Sequence, residues 1–209
     1  MEIRVLRQQE VRDLLPMGEC IDLMAKAMTA VSEGKAVLPL RTGMKMPGDI
    51  GMFGIMPGYL GEPEAFGIKL VSLFPRNADT EYSSHLGVVM LFEVEHGRPV
   101  ALLDGAEITA IRTAAASGLA TRLLAREDAG DLAIIGTGEQ AAVHLEAMSC
   151  VRKLRRVRVW GRSFEKAEAF ARKHSETSGL EIEPIKNVQD AVRGADLICT
   201  VTFAPEPIL

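Results

Sequence analysis

The stretch that decides the fold is Leu132-Ala133-Ile134-Ile135-Gly136-Thr137-Gly138-Glu139-Gln140-Ala141. Its uninterrupted apolar opening reads as a strand buried on both faces, and it runs straight into a Gly-x-Gly-x-x-Ala turn and an apolar-periodic helix. Each small residue has a steric reason in that setting. Gly136 permits the tight turn, Gly138 lets a pyrophosphate approach the backbone, and Ala141 lets the helix pack closely on the strand. The helix N-terminus, at Glu139 and Gln140, then faces the negative charge. Outward from the turn, strands and helices alternate: strands at 132–136, 155–160, 181–185 and 196–201, helices at 139–149, 163–174 and 187–193. Such alternation makes a parallel sheet with right-handed crossovers. Residues 125–209 therefore read as a Rossmann dinucleotide-binding domain that is incomplete at its C-terminal end.

The second strand of this domain ends in Gly161-Arg162-Ser163, where an NAD-preferring site places an Asp or Glu for the ribose hydroxyls. No acid stands there. Arg162 is suited to the 2′-phosphate of NADP, with Ser163 and Lys166 nearby, so the expected preference is NADP(H) over NAD(H). The alternative is that Arg162 is a solvated turn residue.

The chain upstream has a different texture. A helix is expected over 18–33, with Ile21, Met24, Ala25, Met28 and Val31 on its inward face. Apolar runs at 50–56, 65–74, 86–94 and 99–103 are rich in Val, Ile and Phe and read as strands of a mixed sheet. A long alanine-rich helix over 105–125 then links residues 1–124, read as a mixed α+β substrate and dimerisation domain, to the Rossmann domain. The fold class is α/β.

Composition removes several function classes. The 209 residues carry 24 Lys+Arg and 28 Asp+Glu, a net charge of −4, which argues against a sequence-independent grip on nucleic acid or an anionic membrane. Cys20, Cys150 and Cys199 stand far apart, with neither disulfide spacing nor metal-ligand spacing, so no metal site is expected and a reducing cytoplasm is the natural setting. The N-terminal segment lacks a signal-peptide pattern, and Leu86–Phe92 is too short to span a bilayer.

Three cations interrupt apolar segments. Arg112 has no carboxylate three or four residues away, Lys69 sits in the strand Phe66–Leu73, and Arg41 follows Leu38-Pro39-Leu40. A desolvated cation needs a partner that is remote in sequence or an anionic ligand; taken singly, each also reads as a snorkelling surface residue. His85 reads either as a ligand contact or as a satisfied structural histidine. His96, His144 and His174 read as surface residues, and Met44, Met46, Met52 and Met56 as core filler.

With these residues in view, the whole chain resembles the ornithine cyclodeaminase/mu-crystallin family. The resemblance rests on Leu40-Arg41, Gly54-Ile55-Met56-Pro57-Gly58-Tyr59, Gly67-Ile68-Lys69, Asp104-Gly105 through Ala115, the glycine turn, Thr200-Val201-Thr202 and Glu206-Pro207-Ile208-Leu209. It implies a nicotinamide-dependent oxidoreductase of small amino or imino acids that works as a homodimer. It also implies that Arg41 and Arg112 hold the substrate carboxylate and that Lys69 acts beside the reacting carbon. Ser84 and His85 match positions at the nicotinamide end, Thr113 a phosphate contact, and Thr200 and Thr202 the loop flanking the dinucleotide.

Two departures shape the expectation. Cyclodeaminases carry an acid two positions before the Met-Pro pair, where this chain has Gly54, which weakens ornithine cyclisation relative to ketimine reduction or amino-acid dehydrogenation. Family chains also continue past residue 209 through a catalytic aspartate, so these 209 residues are expected to be a fragment or a shortened product that is catalytically silent alone. The alternatives are an ammonia-releasing cyclodeaminase and a non-catalytic NADPH-binding protein like mu-crystallin.

Overall fold

The structure, a computed structural model, describes residues 2–204 and 206–209. The chain divides into two compact units, Met1–Arg112 and Thr113–Leu209, with the division falling inside the long helix. The first unit runs β1 (Arg4–Leu6), α1 (Gln8–Leu14), α2 (Met17–Ser32), β2 (Ala36–Val37), β3 (Thr42–Lys45), β4 (Met52–Gly61), β5 (Glu64–Leu73), β6 (His85–Phe92), β7 (Pro99–Asp104) and the start of α3 (Gly105–Leu124). Its sheet has the order β1-β7-β6-β5-β4-β2, with β3 also paired to β4. Only the β1–β7 pair is parallel. The expected mixed sheet is present.

The four apolar runs correspond to β4 through β7. The first extends to Gly61 because β4 and β5 form one hairpin, paired from Met52↔Leu73 to Gly61↔Glu64. The strands β1, β2 and β3 are two to four residues long, too short to stand out by composition. On α2 the buried residues are Met17, Cys20, Ile21 and Ala30, while Met28 and Val31 of the expected inward face are exposed. The inward line therefore lies about one residue away from the one expected at the C-terminal half. Among the four methionines, Met44 is exposed and the others are half-buried, so none is core filler in the full sense.

α1 is fastened to α3 by Glu107, which is buried; its carboxylate accepts from Gln8 Nε2 at 2.9 Å and pairs with Arg12 Nη1 at 3.0 Å. The Glu107 backbone N–H donates to Asp104 Oδ1 at 2.8 Å, which caps the start of α3. Removing the carboxylate takes both of these bonds from α1. The substitution Glu107→Ala is expected to cost about 2 kcal/mol, the range for hydrogen bonds to a charged group, and chemical denaturation would read this as a shifted midpoint at constant slope.

The second unit follows the expected alternation: β8 (Asp131–Ile135), α4 (Glu139–Val151), β9 (Arg156–Trp160), α5 (Phe164–Ser178), β10 (Ile182–Pro184), α6 (Val188–Val192) and β11 (Leu197–Thr200). All pairs are parallel, in the order β10-β9-β8-β11. The alternating sides of the strands feed two cores. Leu132, Ile134, Val157 and Val159 pack with Ala141, Leu145, Met148, Ala167 and Phe170 of α4 and α5. Ala133 and Ile135 pack with Ala191 of α6 on the opposite face. Helices on both faces make this a doubly wound sheet, and its strand order reverses direction between β8 and β11, the place where such sheets bind ligands.

Candidate active site

In the first unit the sheet register determines which side chains share a face. Lys69 on β5 lies opposite Met56 on β4 and Val89 on β6. One step along the strands, Gly43, Gly54, Val71 and Gly87 form a continuous row across β3, β4, β5 and β6. Paired residues and their i±2 neighbours point to the same side, so this nearly side-chain-free row borders Lys69. The closeness of packing explains two of the glycines. A Cβ on Gly54 would stand 3.0 Å from Val71 Cγ1, and one on Gly105, at the start of α3, would stand 2.8 Å from the backbone of Gly87.

The Lys69 ammonium reaches α3, donating to Thr109 Oγ1 at 3.3 Å. Burial pushes its pKa below the ordinary lysine value, and the positive charges of Arg112 and then Arg41 push it further the same way. The Arg112 guanidinium is likewise lowered, by desolvation first and by Arg41 second. The three cations that the sequence singled out thus act on one another in one place. Arg41 and Arg112 are exposed by area and Lys69 is half-buried, so the buried guanidinium expected at Arg112 is corrected to a partly desolvated one reached by solvent. Among the described residues none of the three pairs with a carboxylate. Three like charges without a carboxylate partner form a chemical setting that could receive an anion.

Ser84 and His85 lie at the start of β6, with Ser84 Oγ 3.1 Å from His85 Nδ1. His85 is opposite Leu73, on the same face as Lys69 but beyond the glycine row. Its backbone N–H donates to Ser83 Oγ.

The second unit gathers its candidates at the C-terminal ends of β8, β9 and β11. Gly136 has φ of +141°, and a Cβ there would stand 2.5 Å from the Val201 carbonyl oxygen, so no other residue fits. Its N–H donates to Trp160 O at 2.8 Å, and Val201 N–H donates to Ile135 O at 2.9 Å, tying the turn to both neighbouring strands. Gly138 is the N-cap of α4 and offers no side-chain cap. A Cβ on it would meet nothing within 4 Å, so the space above the turn is open, while Ala141 is fully buried behind it. An open face above uncapped N–H groups fits a pyrophosphate. Glu139 is exposed and Gln140 half-buried, with the Gln140 Oε1 atom buried and lacking a partner.

Gly161 touches the turn, since a Cβ there would lie 2.8 Å from Thr137 Cγ2. This brings Arg162, exposed, beside the glycine turn. Ser163 is committed to the helix: its Oγ accepts from Lys166 N–H and donates to Glu165 Oε2 at 2.7 Å. Thr200 ends β11, Thr202 follows it, and Thr113 is half-buried on α3.

His144 corrects the expectation of a surface residue. It is buried, with Nδ1 2.7 Å from Gln140 O and Nε2 3.1 Å from Ser117 Oγ on α3. Because a carbonyl only accepts, Nδ1 carries the proton, and Nε2 accepts from Ser117. Burial holds its pKa below the usual histidine value, the backbone bond opposing this more weakly. His174 is half-buried against the Phe170 ring at 4.3 Å, and His96 is exposed. Among the described residues no group of His, Cys, Asp and Glu is placed to hold a metal ion, and no helix is long and apolar enough to cross a membrane.

The model of the ornithine cyclodeaminase/mu-crystallin family matches residues 1–209. A Δ1-pyrroline-2-carboxylate reductase of Bacillus cereus is 39% identical over 98% of this chain and 63% of its own length. The ketimine reductase mu-crystallin of Mus musculus is 40% identical over 85% of this chain and 55% of its own. The solved Δ1-pyrroline-2-carboxylate reductase of Thermococcus litoralis, in complex with NADH and L-proline, superposes with a TM-score of 0.95 at 35% identity, covering 99% of this chain and 64% of that one. The chain thus spans less than two thirds of the length of these relatives. It belongs to the ornithine cyclodeaminase/mu-crystallin family.

Proposed function

We propose that the protein is an NADP(H)-dependent reductase of small imino acids, cyclic ketimine acids above all. The observation that carries this reading is the cluster of Arg41, Lys69 and Arg112, which lacks a counter-ion among the described residues, in a chain that also carries an open dinucleotide turn. Relatives named as reductases of Δ1-pyrroline-2-carboxylate and of ketimines support the substrate class.

The residues divide the work. Arg41 and Arg112 present planar forks that bind a carboxylate through paired, charge-assisted hydrogen bonds. That anion also relieves the mutual repulsion that depresses Lys69 and Arg112. Lys69 then stands as an ammonium beside the carboxylate-bearing carbon, able to give a proton to the imine nitrogen or to hold it by a hydrogen bond. A nicotinamide, when bound, supplies the hydride that reduces the carbon of the C=N bond. The Gly136–Ala141 turn, with Thr200, Thr202 and Thr113, would hold the pyrophosphate, and Ser84 and His85 the nicotinamide end.

Gly54 argues against a cyclodeaminase. Gly54 itself offers no acid to receive a substrate amine, and a side chain there would press on Val71, whose Cγ1 stands 3.0 Å from the position of its Cβ. Exposed Leu38, Leu40 and Met44 support a homodimer through the first unit, and the free thiols of Cys20, Cys150 and Cys199 fit the cytoplasmic setting we propose.

Arg162 is the basis of the NADP(H) preference, since Ser163 is occupied by its own helix. Replacing it, Arg162→Ala, is expected to weaken NADPH about tenfold or more while changing NADH little, as loss of one phosphate-paired guanidinium predicts. Fluorescence titration with both nucleotides checks this; tighter NADH binding by the unaltered protein would reverse the preference.

The ammonium role also sets a pH window. Lysine loses its charge as pH rises through its folded pKa, which here lies below the ordinary value of 10.5. Affinity for a carboxylate ligand is therefore expected to be retained on the acid side and to fall at a lower pH than a free lysine would dictate. Calorimetric titration of L-proline across the alkaline range reads that midpoint.

A further inference from the structure

Thr109 was not among the residues the sequence singled out, yet it makes the polar contact to Lys69 that the structure records. Its own proton is already used: Thr109 Oγ1 donates to the Gly105 carbonyl, one turn back on α3, at 2.6 Å. A hydroxyl whose hydrogen is committed presents only lone pairs to its other neighbours. The Lys69 Nζ at 3.3 Å is therefore met by an acceptor and not by a donor. Thr109 also sits three residues before Arg112 on the same helix, so one helical turn carries both the oxygen that holds Lys69 and one of the two arginines.

We propose that Thr109 is a positioning residue that fixes the Lys69 side chain against α3 in its ammonium form, with its remaining N–H groups directed to the ligand. An ammonium has three donors and no acceptor, and an amine has a lone pair that needs a donor. With its proton on Gly105, Thr109 satisfies the ammonium and offers nothing to the amine's lone pair. The half-buried site and the two neighbouring arginines work the other way, disfavouring the charge on Lys69. Thr109 is thus the neutral group that opposes them, adding no net charge that would compete with Arg41 and Arg112 for an anion. Lastly, a side chain as long as lysine loses rotamer freedom when it acts, and a tether to a rigid helix settles that cost before ligand arrives. The role in reduction rests on the function proposed above; the hold on the protonation state does not.

The test uses Thr109→Val, which keeps the branched shape and removes the hydroxyl, and Thr109→Ser, which keeps the hydroxyl. In protein with isotopically labelled lysines, the Lys69 signal is identified as the one missing from Lys69→Arg, and its titration midpoint is read by NMR. Thr109→Val is expected to move that midpoint toward acid by about one pH unit, the scale of one lost charge-assisted hydrogen bond, and Thr109→Ser to restore it. In the complete polypeptide, kcat/KM for a cyclic ketimine acid is expected to fall about tenfold in Thr109→Val, with its alkaline limb moved by the same interval. An unmoved Lys69 midpoint overturns the inference whether or not the protein is a reductase. If the midpoint moves and no variant, nor the unaltered protein, reduces any imino acid, the positioning of Lys69 stands and the proposed function falls. Should Thr109→Val fail to fold, Thr109→Ser and Thr109→Ala carry the same comparison.

Discussion

Arg112→Ala is expected to lower kcat/KM for an imino acid by about three orders of magnitude while leaving the fold intact. Loss of a charged clamp that acts on the reacting substrate costs on the order of 4 kcal/mol, and each 1.36 kcal/mol is about tenfold in rate. The fold has less to lose. Arg112 is exposed, forms no ion pair with a carboxylate among the described residues, and is charged against both desolvation and Arg41. Its removal relieves repulsion on Lys69, so the melting temperature is expected to hold or rise slightly. Arg112→Lys is expected to recover only part of the rate, because a point charge cannot replace a planar fork. A rate loss accompanied by an equal loss of stability would make Arg112 a structural residue.

The second large effect concerns the glycine turn, where two neighbouring substitutions separate folding from binding. Gly136→Ala places a Cβ 2.5 Å from Val201 O and 2.9 Å from Val201 C, in a backbone conformation that L side chains rarely adopt. The expected cost is about 3 kcal/mol of stability, from strain and from displacement of the loop after β11, together with nucleotide affinity reduced beyond a hundredfold. Gly138→Ala meets no atom within 4 Å in the protein. It is expected to leave the melting temperature unchanged and still to weaken nucleotide binding, because its methyl group fills the space a pyrophosphate needs. Scanning calorimetry with nucleotide titration on both variants checks the pair; equal binding by Gly138→Ala and the unaltered protein would remove the pyrophosphate from that turn.

The second unit was legible because its signals are local. A buried parallel strand has no polar face, so Leu132–Ile135 announces itself in a run of consecutive residues, and Gly136, which follows it, is required by the turn itself. The first unit was legible in outline only. Its site is assembled by register, which sets Gly43, Gly54, Val71 and Gly87 in one row although they are scattered over β3 to β6. Sequence spacing picks out Arg41, Lys69 and Arg112 one at a time as cations lacking local partners; the family resemblance groups them, and the fold sets them close enough for their charges to act on one another. Thr109 carried a weaker signal, a hydroxyl one turn before Arg112 on a helix of small residues. His144 was misread because its partners, Gln140 O and Ser117 Oγ, come from its own helix backbone and from a helix 27 residues away in sequence.

We propose that the cation cluster and the dinucleotide turn serve one reduction. The most direct measurement follows a label from cofactor to product. The complete polypeptide is supplied with NADPH carrying deuterium at both hydrogen positions of nicotinamide C4 and with Δ1-pyrroline-2-carboxylate, and the product is examined by NMR and mass spectrometry. Proline bearing one deuterium on its α-carbon is expected, formed in step with NADPH oxidation and abolished in Lys69→Met. Oxidation of NADPH without deuterium at the α-carbon, or release of ammonia from ornithine with no net change in cofactor, would contradict it.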